Sequence, residues 1–305
     1  MSASVEVQLA PLRLWGELRT RALAAVLRRS SASVNRRAPA ELRRRLERMA
    51  RLSPVPAGVR IEHDVLGGRP ARWALPHNAS RVLLHLHGGG YVTCSPGTHQ
   101  LLLADLAAAT GRRAVSVDYR KAPEHPFPLP IDDCERAWYA LVERGIDPSD
   151  IVLSGDSAGG GLALALLQRL RDANRAMPSA VVLLSPWVDL GCRGWSIERY
   201  ERYDYLNQRA LARFANLYLQ GADPTHPEAS PIHASFAGFP PMLIQVGGAE
   251  VLRTQIERLA TRARAHGADV TLETWDGMFH AWQGFTPFLP EARDALRAVG
   301  RFTRR

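Results

Sequence analysis

Five consecutive residues, Gly155-Asp156-Ser157-Ala158-Gly159, set a serine between two glycines. The apolar, β-branched run Ile151-Val152-Leu153-Ser154 before them reads as a buried strand. The run Leu162-Ala163-Leu164-Ala165-Leu166-Leu167 after them is built of strong helix formers. Strand, tight turn, serine and helix make a nucleophile elbow. Small neighbours let the turn close, and the serine then stands at a helix N-terminus, where free N–H groups favour developing negative charge. The chemistry this suits is acyl transfer, in which a hydroxyl attacks a carbonyl carbon and charge gathers on the carbonyl oxygen. A second stretch fits the same need. His87-Gly88-Gly89-Gly90-Tyr91 follows the strand-like run Arg81–Leu86 directly, and consecutive glycines let backbone N–H groups turn toward a ligand. The N–H groups of Gly88, Gly89 and Ala158 are the expected oxyanion donors.

A serine nucleophile needs a base and a carboxylate to orient it. In the α/β-hydrolase arrangement these follow the serine in the order acid, then histidine. The strand-like Pro241–Gly247 run is followed by Glu250, and between Met242 and His266 the only other carboxylate is Glu257, well inside a helical run. Glu250 is therefore the expected acid. The strand Val270–Trp275 leads through Gly277 to His280, which lies after the acid and beyond a final strand. His266 also follows the acid, but it ends a helix at Gly267 and reads as a partner for the helix C-terminus. The expected catalytic set is Ser157, Glu250 and His280, acting without metal or organic cofactor.

These residues need elements to hold them. Strands are predicted near 59–65, 71–75, 81–87, 113–118, 150–154, 180–185, 241–247 and 269–275. Helices are predicted near 97–111, 131–144, 157–173, 253–266 and 288–303. The first strands lie close together and read as antiparallel; the later ones alternate with helices and read as parallel. The fold class is α/β, a mostly parallel central sheet flanked by helices, with site residues beyond the carboxyl ends of strands. Residues 53–305 form the catalytic domain. An insertion at about 191–235 breaks its rhythm, and 1–52 read as two amphipathic helices, either the N-terminal helical part of a cap or helices packed in the ordinary way against the domain. Leu9, Leu12, Trp15, Leu18, Ala22, Leu23 and Val26 follow helical spacing, as do Leu42, Leu46, Met49 and Ala50 after Pro39.

The chain has 305 residues and a net charge of +9. Residues 1–52 carry twelve Arg against four Glu, a segment that could touch an anionic surface, although a solvated helix face explains it as well. Aromatics are too few there for base stacking, so no nucleic-acid partner is expected. No apolar run approaches the ~20 residues of a membrane span, and charges interrupt any signal-peptide core. With three widely spaced cysteines, neither a disulfide framework nor a metal site is expected, and the reading is a cytoplasmic protein. An exposed last strand would offer an edge for a homodimer.

Beyond the elbow and the glycine loop, Asp118-Tyr119-Arg120, Ala122-Pro123-Glu124-His125-Pro126-Phe127-Pro128 and Ser185-Pro186-Trp187 stand in order along the chain. From about residue 55 to the C-terminus the sequence resembles the hormone-sensitive-lipase-like branch of α/β-hydrolases, the bacterial GDSAG esterases and acetyl-hydrolases. The resemblance implies a small-molecule ester substrate, an N-terminal cap, short acyl chains, broad alcohol tolerance and acceptance of Glu as the acid. Lactones and acetylated metabolites belong to the substrates it suggests. Plant gibberellin receptors resemble this fold but lack the histidine, so His280 argues against a non-catalytic receptor. Thr254 and Gln255 stand where relatives often carry acids, Cys94 where a Gly is usual, and Ala281 where a branched residue is common. Tyr91, Trp187 and Phe279 are expected to bind substrate, with a place in the core as the alternative for any of them. Trp15, Tyr203, Leu206, Phe214 and Trp282 are further lining candidates, and Cys94 reads as a small lining residue. Asp156 is expected to hydrogen-bond neighbouring backbone and so hold the turn; Asp118, Arg120 and Glu124 read as a polar brace.

Overall fold

Successive strands of the central region are so apolar that they need cover on both faces, and the chain supplies it by alternating them with helices. The computed structural model describes residues 6–8, 14–31, 37–51 and 54–304. In chain order the elements are β1 (Glu6–Gln8), α1 (Leu14–Ser31), α2 (Pro39–Ala50), β2 (Val59–Leu66), β3 (Arg69–Pro76), β4 (Val82–Leu86), α3 (Gln100–Thr110), β5 (Arg113–Val117) and α4 (Leu129–Glu143). They continue with β6 (Ile151–Asp156), α5 (Ala158–Asp172), β7 (Ala180–Leu184), α6 (Trp195–Tyr200), α7 (Gln208–Leu219), β8 (Met242–Gly247), α8 (Arg253–Ala265), β9 (Val270–Trp275) and α9 (Pro290–Phe302).

The strands form one sheet in the order β1-β9-β8-β7-β6-β4-β5-β3-β2. Every pairing is parallel except β2 with β3 and β3 with β5. Residues of β4, β6, β7 and β8 are buried throughout. Their side chains alternate between the faces, as the pleat requires. Leu83, Val152, Val182 and Leu243 share one apolar cluster with residues of α3 and α9. Leu84, Leu153, Leu183 and Ile244 share another with residues of α4, α5 and α8. Two helical layers therefore clamp the sheet and leave the carboxyl strand ends open to loops.

Three expectations change here. The last core strand is not an open edge, because β1 pairs with β9 from Glu6↔Leu272 to Gln8↔Thr274; the homodimer argument from that edge falls away. Helix α1 buries Thr20 and Ala24, with Leu23 and Leu27 partly covered, whereas Leu18 and Val26 are exposed. Ala24 fits against Trp275, Met278, Phe279 and Trp282, and the Arg19–Glu291 ion pair at 2.7 Å fixes the same rotation. In α2, Leu42 is buried but Met49 is exposed. Leu9 and Leu12, and the side chain of Trp15, lie outside the described residues.

The stretch between β7 and β8 contains α6 and α7. Among the described residues no helix is long and apolar enough to cross a membrane.

Candidate active site

Ser157 sits in the turn between β6 and α5 with φ 51° and ψ −122°, a conformation a side-chain-bearing residue adopts only under constraint. The constraint is close packing. A Cβ at Gly155 would lie 2.3 Å from the Gly159 carbonyl oxygen, and a Cβ at Gly159 would lie 1.8 Å from that of Leu86. Neither position admits a side chain, which is the steric reason for the spacing of the motif. The Ser157 N–H donates to the Leu184 carbonyl at 2.9 Å, and its own carbonyl accepts the Trp187 N–H at 2.8 Å.

The loops after β8 and β9 converge on this serine. His280 Nε2 lies 2.9 Å from Ser157 Oγ, and His280 Nδ1 lies 3.2 Å from Glu250 Oε1. A carboxylate can only accept, so Nδ1 carries the proton and Nε2 is left to accept from the serine hydroxyl. Glu250 is held in turn. Its Oε2 accepts from the Ser185 hydroxyl at 2.7 Å and from the Gly247 N–H at 2.8 Å. Glu250 is fully buried and His280 nearly so. Burial alone would lower the His280 pKa; the hydrogen bond and charge of Glu250, with Asp204 and Asp156 behind them, outweigh it and raise the pKa above the ordinary 6.5.

The glycine loop departs from expectation at one amide. The Gly88 N–H donates to Asp156 Oδ1 at 2.8 Å, so it is not available to an oxyanion. The Gly89 and Gly90 N–H groups have no such partner among the described residues. Asp156 therefore braces the elbow against the backbone of the loop that faces it. Its Oδ1 also faces His85 Nε2 at 3.1 Å, and Oδ2 faces His99 Nε2 at 3.3 Å. Burial would raise the Asp156 carboxyl, but His99 and His85 hold it well below the usual carboxylate range. His99 answers in kind. Burial would lower its pKa, but the charge and hydrogen bond of Asp156 raise it. Tyr119 completes the support, donating to the His87 carbonyl at 2.7 Å and stacking on its ring at 4.2 Å.

A family model described as the alpha/beta hydrolase fold matches residues 83–284. The chain is 44% identical over 241 residues to an acetyl-hydrolase of Streptomyces hygroscopicus, a match covering 78% of this chain and 81% of that one. It is 35% identical over 292 residues to an esterase of Acinetobacter venetianus, covering 95% and 96%. A solved esterase from the bacterial hormone-sensitive lipase family has a TM-score of 0.89 and 40% identity, covering 96% of this chain and 98% of that one. The chain belongs to the hormone-sensitive-lipase-like α/β-hydrolases.

In this α/β-hydrolase the three aromatic side chains expected to bind substrate are packed into cores. Tyr91 is 1% exposed and stacks on Tyr218 at 3.9 Å. Trp187 is buried beside it, with Nε1–H donating to the Asp189 carbonyl at 3.0 Å. Phe279 is buried among Trp275, Met278 and Trp282, as is Trp282 itself. Tyr203 turns outward under Arg202. Leu206 packs on the main core. Phe214 does reach the glycine loop, because a Cβ on Gly90 would lie 2.3 Å from its ring. Cys94 is partly exposed, with its Cβ against Gly89, and burial pushes its thiol up to about 11. The polar brace takes specific form. Arg120 pairs with buried Asp133 at 2.9 Å, Lys121 with Asp118, and Glu124 with Arg43 of α2 at 2.8 Å. His266 accepts the Phe236 N–H through Nδ1 at 3.1 Å, so its ring is engaged outside its own helix. Glu257 pairs with Arg253 one turn away, at 2.7 Å.

Four contributors escaped sequence reasoning. Ser185 Oγ bonds Glu250 and also accepts the Ala281 N–H at 3.1 Å. His85, in mid-strand, reads as a core residue until Asp156 is placed beside it. Asp204 and Tyr205, in the α6–α7 connection, lie against the histidine loop, the Tyr205 ring 6.0 Å from that of His280. Their only local signal is proximity to Asn207, which caps α7 by accepting the Ala210 N–H at 2.8 Å, so they read as turn residues. Among the described residues no group of three or more His, Cys, Asp or Glu is arranged to hold a metal ion.

Proposed function

We propose that this protein hydrolyses short-chain acyl esters through a Ser157–His280–Glu250 triad and an acyl-enzyme intermediate. Family membership makes it a serine carboxylesterase; the triad and the short acyl preference are the finer reading. The observation that carries it is the unbroken line from Ser157 Oγ through His280 to Glu250, at 2.9 and 3.2 Å.

The chemistry runs along that line. His280 Nε2 takes the Ser157 proton as Oγ attacks the ester carbonyl, and Glu250 stabilises the imidazolium. The developing oxyanion is met by the N–H groups of Gly89, Gly90 and Ala158, each worth ~2.7–4 kcal/mol in such sites. His280 then protonates the leaving alcohol, takes a proton from the water that attacks the acyl carbon, and returns that proton to Ser157 Oγ as the acid departs.

Residues 1–52 and the insertion at 191–235 act together as a cap in this reading. Arg43 of α2 bonds the Val92 carbonyl at 2.8 Å beside the glycine loop, and the Ser31 hydroxyl at the end of α1 bonds the Tyr205 carbonyl at 2.8 Å. Short acyl chains are favoured by Phe214 crowding Gly90. A 34% identical relative from Pseudomonas putida, named as an ethyl acetate hydrolase, supports the same preference.

The test is a series of p-nitrophenyl esters from acetate to dodecanoate, with Ser157→Ala as control. Activity should peak at acetate or butyrate, and the variant should lose on the order of a million-fold in turnover. Retained turnover in Ser157→Ala rejects the mechanism, and a peak at long chains rejects the substrate class.

A further inference from the structure

Asp204 is fully buried and belongs to the α6–α7 connection, yet its carboxylate ends between the loops that carry Glu250 and His280. Oδ2 accepts the Val251 N–H at 3.0 Å. Oδ1 accepts the N–H groups of Tyr205 at 2.7 Å, Leu206 at 3.3 Å and His280 at 3.4 Å. No arginine or lysine pairs with it among the described residues. A buried carboxylate without a counter-cation is expensive, and among the described residues the group placed to become a cation against it is the His280 ring. The titratable groups around that ring are Glu250, Asp204, Asp156 and the Tyr205 hydroxyl.

We propose that Asp204 is a positioning residue of the reaction, which ties the α6–α7 connection to the backbone of Val251 and His280 and sets a second negative charge beside the imidazolium. This rests on the Ser157–His280–Glu250 reading. Glu250 orients the ring through Nδ1; Asp204 holds the loop from its backbone and adds field without touching the ring. Burial raises the Asp204 carboxyl to about 6, with His280 opposing and Glu250 adding to the rise. It is therefore an anion at pH 7 and above, where the reaction needs to form an imidazolium.

An anion here raises the His280 pKa, so removing it lowers that pKa and leaves the base unprotonated in more acid solution. The experiment compares Asp204→Asn with the unaltered protein in kcat and KM for p-nitrophenyl acetate from pH 5 to 9. Circular dichroism checks the fold, and a fluorophosphonate probe reports Ser157. Expected are a kcat reduced about tenfold or more, a KM within about twofold, and an acid limb of kcat/KM shifted down by about half a pH unit, as loss of a nearby charge requires. An unmoved acid limb in a folded variant overturns the proposal whatever the rate. Should the variant not fold, the low-field Nδ1–H proton resonance of His280 in the unaltered protein decides. Two titration steps between pH 4 and 8 support the proposal, and a single step overturns it. Failure of the probe to label Ser157 in the unaltered protein would instead reject the triad reading itself.

Discussion

Asp156 takes the N–H of Gly88 at 2.8 Å, and in doing so it locks the nucleophile turn to the loop that faces it. The bond removes one glycine amide from the oxyanion's reach and fixes the direction of the next two. Replacing the carboxylate by an amide, Asp156→Asn, should lower kcat about 10–100-fold with little change in KM, since a charged acceptor bond is worth ~1.5–3 kcal/mol and the loss falls on transition-state geometry. Steady-state kinetics on p-nitrophenyl acetate checks this; a proportional rise in KM alone would contradict it.

The His99–Asp156 contact predicts a pH dependence of stability. His99 has its pKa raised in the fold, so its contribution is fully present below the ordinary imidazole value and is lost as pH rises through the raised one. His99→Gln should therefore lower Tm most at pH 5.5 and least at pH 8.5. His85 has the opposite sign: burial lowers its pKa against the pull of Asp156, so its contribution is lost as pH falls. Thermal melts of both single variants across that range separate the two.

Gly90 has φ +62°, and an added Cβ would lie 2.3 Å from the Phe214 ring of α7. Gly90→Ala should lose most activity, because the loop must shift or the ring must move. Adding Phe214→Ala removes the obstacle and should recover part of the loss, a coupling of ~0.5–3 kcal/mol in a double-mutant cycle. Purely additive effects would place the damage elsewhere.

Ser185 joins the acid to the histidine loop through one hydroxyl, donating to Glu250 and accepting from Ala281. Ser185→Ala leaves a buried carboxylate oxygen and a backbone N–H short of a partner, which costs ~1–3 kcal/mol. A kcat about tenfold lower and a lower Tm are expected together. An unchanged pair of values would mean that water replaces the hydroxyl.

The Tyr205 ring stands 6.0 Å from that of His280. Tyr205→Ala should raise KM for p-nitrophenyl butyrate more than it lowers kcat and should widen tolerance for bulky alcohols, whereas Tyr205→Phe should leave both nearly unchanged. Kinetics across a series of alcohol leaving groups reads the difference.

Much of this protein was legible along the chain. The Gly155–Gly159 motif, the glycine run after His87, and the places of Glu250 and His280 after their strands are local patterns, and local sterics enforce them: Gly155 and Gly159 have no room for a Cβ. The alternation of apolar strands with helices likewise specified the sheet and its two helical layers, because each buried strand demands cover on both faces.

Other features depended on which surfaces meet. Helix α1 carries more than one apolar stripe, and the aromatic cluster around Trp275 and Trp282 selected the one with small Ala24, leaving Leu18 and Val26 outside. Tyr91, Trp187 and Phe279 have the size and position to line a pocket, yet each found a better-packed place in a core. Strand β1 is three residues long, too short to announce itself, and exists as a strand because β9 offers it an edge. Gly88 and its neighbours are identical as letters; only the approach of Asp156 distinguishes their amides. Asp204 carries no local mark beyond its nearness to the capping Asn207. Besides the N–H groups of adjacent Tyr205 and Leu206, it takes those of Val251, 47 residues further along the chain, and of His280, 76 residues further. Folding alone sets this carboxylate between the two loops, because contacts over such separations follow from how the elements pack and not from any pattern of neighbours.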